Sequence, residues 1–599
     1  MTQQIRPLSG SEMQKLIAVA KREQAGDVVI QHATLINVYT NELMEAHIAI
    51  SGKHIAYVGS ELPPCSDHTL VIDGRGYVLS PGYFEPHAHS TLFFNPATFA
   101  EKALRHGTTA IVHDNLELFM RLDEEQYLEA LDAFAKFPVK MFWGARLDAQ
   151  TANDEMVRRF APERIRRLLA HPFVLQVGEL TDWPRLLAGD EQMIENVLSA
   201  QSFGKRVEGH FPGASGGTLN AAAAAGVRAC HESIRSDDVI QRLRLGMYAT
   251  LRLSPIRPDL PELVKGLLKE NICWSNRLMM TTDGPTPPML EKGLTDYLLR
   301  EAMEAGLEPI TAYRLVTLNP ATYYGLDGEL GGIAPGRLAD ILFLRDLRQP
   351  RPQKVMAEGK MVAESDKLNV ELLLPEVIRV ASSGKYGPRK VEESLFRLPV
   401  RTAQEQMEFP VIQLRDAVIT TVHMETFPVR SGQLDWTSNE GLVLASLIDR
   451  QGRWVCNGLL RGFARQLDGL AASVAVGGDL LVLGQDTAAM AKALRRLLEL
   501  KGGVVLVDRQ QVSFEIQLPI YSSMSPEPYD VIAAAAGQLY RHLREAGYVH
   551  LDPVYSLMFL PATHLPYVRL TPQGIYSVKE RQVLYPSISL DHEGENDDL

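Results

Sequence analysis

Successive apolar, strand-like runs in this chain end in residues able to bind a metal or move a proton, and that rhythm limits the folds open to it. The runs are Val174 to Glu179, Arg206 to His210, Gly226 to His231 and Leu278 to Asp283. Helix-like stretches such as Asp190 to Ser202 and Leu260 to Glu270 lie between them, so strand and helix alternate as in a parallel βαβ fold. A fifth run, Pro81 to His89, closes on His87-Ala88-His89. Alternate residues of a strand share a face, so His87 and His89 either serve one metal ion or merely cap the strand. Four histidines and two carboxylates recurring at one point of successive units favour a shared site at the C-terminal face of a barrel.

Composition narrows the partners. The 599 residues are 45% hydrophobic and 22% charged, enough for several globular cores. A net charge of −12 without a basic cluster argues against nucleic acid and for a small-molecule substrate. Cys65, Cys230, Cys273 and Cys456 are widely spaced and form no Cys-x-x-Cys, which suits a reducing cytoplasm. No apolar run is long enough to span a bilayer, so no membrane role is expected.

Pattern changes divide the chain. Residues 1–26 read as an amphipathic helix. Residues 27–80 and 331–375 carry short-strand alternation and read as one small β-sandwich, interrupted by a catalytic (β/α)8 TIM barrel over 81–330. Residues 385–590 read as a C-terminal α+β domain, and 591–599 as a disordered acidic tail.

Several stretches resemble the adenine deaminase family of the amidohydrolase superfamily. They include Gly209-His210-Phe211-Pro212-Gly213, Leu219 to Gly226, His231-Glu232, Leu243 to Tyr248, Leu290 to Tyr297, Thr317 to Ala321 and Ala334 to Asp340. The likeness continues through Gly502 to Asp508 and Leu518 to Ser525. It implies a metal-dependent hydrolase that converts adenine, or a related nucleobase, to hypoxanthine and ammonia. Amidine hydrolysis needs hydroxide at neutral pH, and a water bridging two divalent ions has its pKa lowered towards about 7. The resemblance implies His87, His89 and Asp283 on one ion, His210 and His231 on the other, and Glu179 bridging where many related barrels carry a carboxylated lysine. Imidazole and carboxylate ligands admit manganese, iron or zinc; the family leans to manganese, or iron. Asp283 would also carry a proton from water to the leaving amine. Glu232 either hydrogen-bonds a ring nitrogen in its protonated form or stands salt-bridged behind His231. A homo-oligomer is also expected.

Departures from the family touch the pocket walls. Asp114-Asn115-Leu116-Glu117 stands where the family has Asp-Pro-His-Glu, with a histidine one place earlier at His113. Trp143 to Asp148 replaces a Ser-Cys-Val-Pro pattern, and Val476 to Asp479 a His-Asp-Ser-His. Asp114, Trp143 and Arg146 therefore become candidate substrate contacts: Trp143 as a flat face for a ring, Arg146 as an anchor for an acidic or carbonyl group unless it pairs with Asp114 or Asp148. An amidohydrolase acting on another cyclic amidine or amide is the alternative reading. A non-catalytic binding protein fits less well, because none of the six ligands is missing. A zinc nucleobase deaminase would need His-x-Glu with Pro-Cys-x-x-Cys, which the chain lacks.

Overall fold

The computed structural model describes residues 8–151, 158–272, 275–380, 387–400, 402, 404–437 and 439–590. Two compact units emerge, one from residues 1–90, 96–147 and 159–377, the other from 91–95, 148–158 and 378–599. The expected acidic tail, 591–599, lies outside the described residues, as do residues 1–7 of the expected N-terminal helix.

The first unit opens with a helix, α1 (Gly10–Ala20). Ser9 caps it: the Glu12 backbone N–H donates to the Ser9 hydroxyl, and the Ser9 N–H donates back to the Glu12 carboxylate at 2.8 Å. Strands β1 (Val28–Asn37), β2 (Glu42–Ser51), β3 (His54–Gly59), β4 (Leu70–Asp73) and β5 (Val78–Pro81) follow. Alternation along β1 decides its two faces. Val28 and Ile30 join Ile48, Ile50, Leu79, Ile341 and Phe343 in one apolar core, while Val29 packs with Ala49 and Ala56 against Val19 of α1. A register shift between Ile30 and Ala33 returns Ala33 and Leu35 to the first face.

The chain then leaves this sheet for eight parallel strands: β6 (Tyr83–Ala88), β7 (Thr108–His113), β8 (Lys140–Ala145), β9 (Val174–Leu180), β10 (Arg206–Gly209), β11 (Ala229–Cys230), β12 (Tyr248–Arg252) and β13 (Leu278–Thr281). Each pairs with the next, and a parallel bridge between Ala88 and Asp283 brings the last strand beside the first. Every residue of β6 to β9 is buried, as a parallel sheet clothed by helices requires. The intervening helix Glu191–Ser202 starts where Asp190 accepts from the Met193 N–H at 2.9 Å, and Leu260–Lys269 fills the second expected position.

After the barrel the chain returns to the first sheet. Strand β14 (Ile341–Leu344) pairs antiparallel with β5, and β15 (Lys354–Ala357), β16 (Lys360–Glu364) and β17 (Lys367–Leu368) extend it to nine strands. At the foot of the barrel, buried Lys140 donates to both oxygens of Asp340, at 2.5 and 2.7 Å.

The second unit is built on a ten-stranded, largely antiparallel sheet. Its helix Thr487–Glu499 is capped by Asp486 and lies on the strands Gly469–Ala472 and Gly503–Asp508. Gly469 permits the approach, since a Cβ there would stand 2.6 Å from the Ala489 carbonyl carbon. No helix among the described residues is long and apolar enough to cross a membrane.

Candidate active site

The metal-ligand candidates gather at the C-terminal ends of the barrel strands. His87 is the penultimate residue of β6 and His89 follows the strand; Glu179 lies in β9; His210, His231 and Asp283 stand one or two residues past β10, β11 and β13. The His87 and His89 Nε2 atoms are 3.3 Å apart, and the Asp283 Oδ1 lies 3.4 and 3.2 Å from them. Across the site, the His210 Nδ1 and the His231 Nε2 are also 3.3 Å apart. Between the two groups stands Glu179. Its Oε2 is 3.7 Å from the His89 Nε2, and its Oε1 is 3.4 Å from the His231 Nε2 and in direct contact with the His210 Nδ1. Ligand atoms of His87, His89 and Glu179 lie within 4.8 Å of one another, as do those of Glu179, His210 and His231, and of His87, His231 and Asp283.

Charge at this face calls for cations. Asp114, Glu179, Glu208, Glu232 and Asp283 bring five carboxylates, answered by the guanidinium groups of Arg146, Arg252 and Arg257, so the imidazoles meet an excess of negative charge. Burial disfavours their charged form, yet Glu208 and Asp283 hold His87 well above the usual histidine range. Burial likewise pushes Glu179 up, but His210 and Arg146 draw it well below the ordinary carboxylate range; Arg252 and His87 do the same to Asp283. Imidazole nitrogens aimed at one another among carboxylate oxygens fit a divalent cation as common partner.

The substrate candidates lie differently. The Trp143 indole is fully buried, stacked on His113 at 4.8 Å and bordered by Phe134 and Tyr127, so it presents no open face to a ring. Arg146, also fully buried, donates from Nη1 to the Asp114 Oδ1 at 2.6 Å and to the Glu179 Oε2 at 3.2 Å. Asp114 in turn accepts from the Glu179 backbone N–H, and its main-chain oxygen lies 2.8 Å from the His89 Nδ1. Asp114 and Arg146 thus grip two of the ligand candidates, His89 and Glu179. Glu232 is paired with Arg252 and, at 3.3 Å, with Arg257; burial raises it but Arg252 brings it below its ordinary value. That is the salt-bridged arrangement of the two foreseen for it.

Residues 78–362 match the amidohydrolase family and residues 417–582 the adenine deaminase C-terminal domain. An adenine deaminase from Moorella thermoacetica is 32% identical, the match covering 95% of this chain and 97% of that one. A Cenarchaeum symbiosum adenine deaminase is 30% identical over 97% and 96%. A Bacillus subtilis relative, provisionally named an adenine deaminase, is 36% identical over 94% and 95%. The chain belongs to the adenine deaminase family. As an amidohydrolase it is a divalent-metal enzyme, and the cluster above offers the donors.

Glu208, Arg252 and Arg257 of this adenine deaminase-family site escaped the sequence reading. Glu208 lies in β10 two residues before His210, which follows the strand, so the alternation that singled out His87 and His89 could have found it. Arg252 ends β12, where a charge after an apolar run reads as a solvated strand end; instead it contacts Glu232 and lies 2.9 Å from the Asp283 Oδ2.

Proposed function

We propose that this protein hydrolyses adenine to hypoxanthine and ammonia at the face where the four imidazoles, Glu179 and Asp283 converge. That convergence carries the reading. Two divalent ions, manganese by preference and iron or zinc as alternatives, held by His87, His89 and Asp283 on one side and by His210 and His231 on the other with Glu179 shared, would supply a water of hydroxide strength at neutral pH. The remaining work falls to side chains. Asp283 turns Oδ1 towards His87 and His89 and Oδ2 towards Arg252, which orients the carboxylate to take a proton from water and return it to the departing amine. Water's oxygen joins the ring carbon that bore the amine, the carbon–nitrogen bond breaks, and ammonia leaves. Arg252 and Arg257 keep Glu232 ionised beside His231.

An anionic cyclic amidine gripped by Arg146 is less well supported, because Asp114 and Glu179 already engage that guanidinium. Ammonia release from adenine, measured with metal content, tests the proposal. We expect turnover with about two divalent ions per chain, and loss of most metal and activity in Glu179→Gln. An unaltered Glu179→Gln variant, or no release from adenine by the metal-loaded protein, overturns it.

A further inference from the structure

One carboxylate reaches behind both histidine pairs. Glu208, fully buried in β10, turns Oε2 to the His87 Nδ1 at 2.8 Å and Oε1 to the His231 Nδ1 at 3.1 Å. A carboxylate only accepts, so each imidazole, when it gives up one proton to bind a metal, keeps the other on Nδ1 and turns a bare Nε2 towards the cluster. Gln176 adds a third donor, its Nε2 reaching the Glu208 Oε2 at 2.8 Å, while its own Oε1 accepts from the Tyr324 hydroxyl at 2.8 Å. Resting on the ligand assignment proposed above, we infer that Glu208 is a positioning residue that sets the tautomer of one histidine ligand from each of the two ion sites.

A carboxylate and its isosteric amide act differently at position 208. Glutamine at 208 has one oxygen and one NH2 group, so it accepts a hydrogen bond from only one of the two rings. Two donors, His87 and Gln176, meet at the Oε2 position and one at Oε1. The amide oxygen therefore stays with His87 and the NH2 group faces His231. Faced with a donor, His231 must keep its Nδ1 lone pair and move its proton to Nε2, the nitrogen turned to the cluster.

The experiment is equilibrium dialysis of purified wild type and Glu208→Gln against graded Mn2+, with metal counted per chain. We expect wild type to hold two ions and Glu208→Gln to hold one normally and the other about 10- to 100-fold more weakly. Combined with His210→Asn, Glu208→Gln should add little further loss; combined with His89→Asn, it should remove most of the remaining metal. Equal weakening of both ions, or no weakening, overturns the tautomer role while leaving the metal site standing. A wild type without Mn2+ affinity overturns the ligand assignment itself. Should Glu208→Gln fail to fold, 15N spectra of histidine-labelled wild type loaded with diamagnetic Zn2+ decide instead. Nδ1-protonated His87 and His231, assigned by their loss in His87→Asn and His231→Asn, support the inference, and Nε2-protonated rings refute it.

Discussion

Buried polar side chains near the barrel mouth have consequences that can be measured one residue at a time. His113 is enclosed by Phe99 and Trp143, with Nδ1 2.8 Å from the Ser90 hydroxyl, and burial lowers its pKa to about 3. Folding therefore keeps it neutral where the unfolded chain would bind a proton. Its contribution is complete above the ordinary histidine pKa of about 6.5 and is lost as pH falls towards 3. Between pH 6.5 and 5 this amounts to about 2 kcal/mol. Denaturant midpoints over that range should fall less steeply in His113→Asn than in wild type; equal slopes would exclude the effect. Arg146 offers a second test. Arg146→Met leaves the buried Asp114 carboxylate without its cation, which should cost about 3–5 kcal/mol, seen as a lower melting temperature that Asp114→Asn partly restores. An unchanged melting temperature would deny the pair its structural role. Simple parity also separates Arg146 from Trp143: three residues apart near a strand end, they belong to opposite faces, so a common substrate wall was never open to them.

At the level of elements, the strands and the six metal-ligand candidates were legible because polar residues ending apolar runs stand out against them. What stayed hidden depends on approach between strands. Glu208 looks like a strand residue among others until β6 and β11 bring His87 and His231 to its two oxygens. Gly178 has the same character. It adopts φ +131 in β9, and a Cβ there would meet the Glu208 carbonyl oxygen at 2.6 Å. Backbone cannot swing aside as a flexible side chain can, so Gly178→Ala should force β9 from β10 at the point that presents Glu179. We expect a loss of about 1–3 kcal/mol together with reduced metal content; a variant with wild-type metal binding and melting temperature would show that the strands yield without harm.

For the whole molecule, carboxylates outnumber guanidinium groups at the barrel mouth, so bound cations should stabilise the first unit. A ligand present at a hundred times its dissociation constant adds about 2.7 kcal/mol to the folded state. Protein stripped with a chelator should melt at a lower temperature and recover on adding Mn2+, and indifference to both treatments would contradict the charge argument. The sequence reading split one small β domain around the barrel because β pattern recurs on both sides of it, and β5 pairs antiparallel with β14. That pairing also orders events during synthesis. Ser80 finds its partner at Leu342, about 260 residues later, so at roughly 5–20 residues per second the first five strands wait on the order of tens of seconds for their neighbour. Until it arrives, the edge of β5 offers unpaired backbone to any passing strand, and chaperones that shield such edges should raise the yield of native protein more than they raise its final stability.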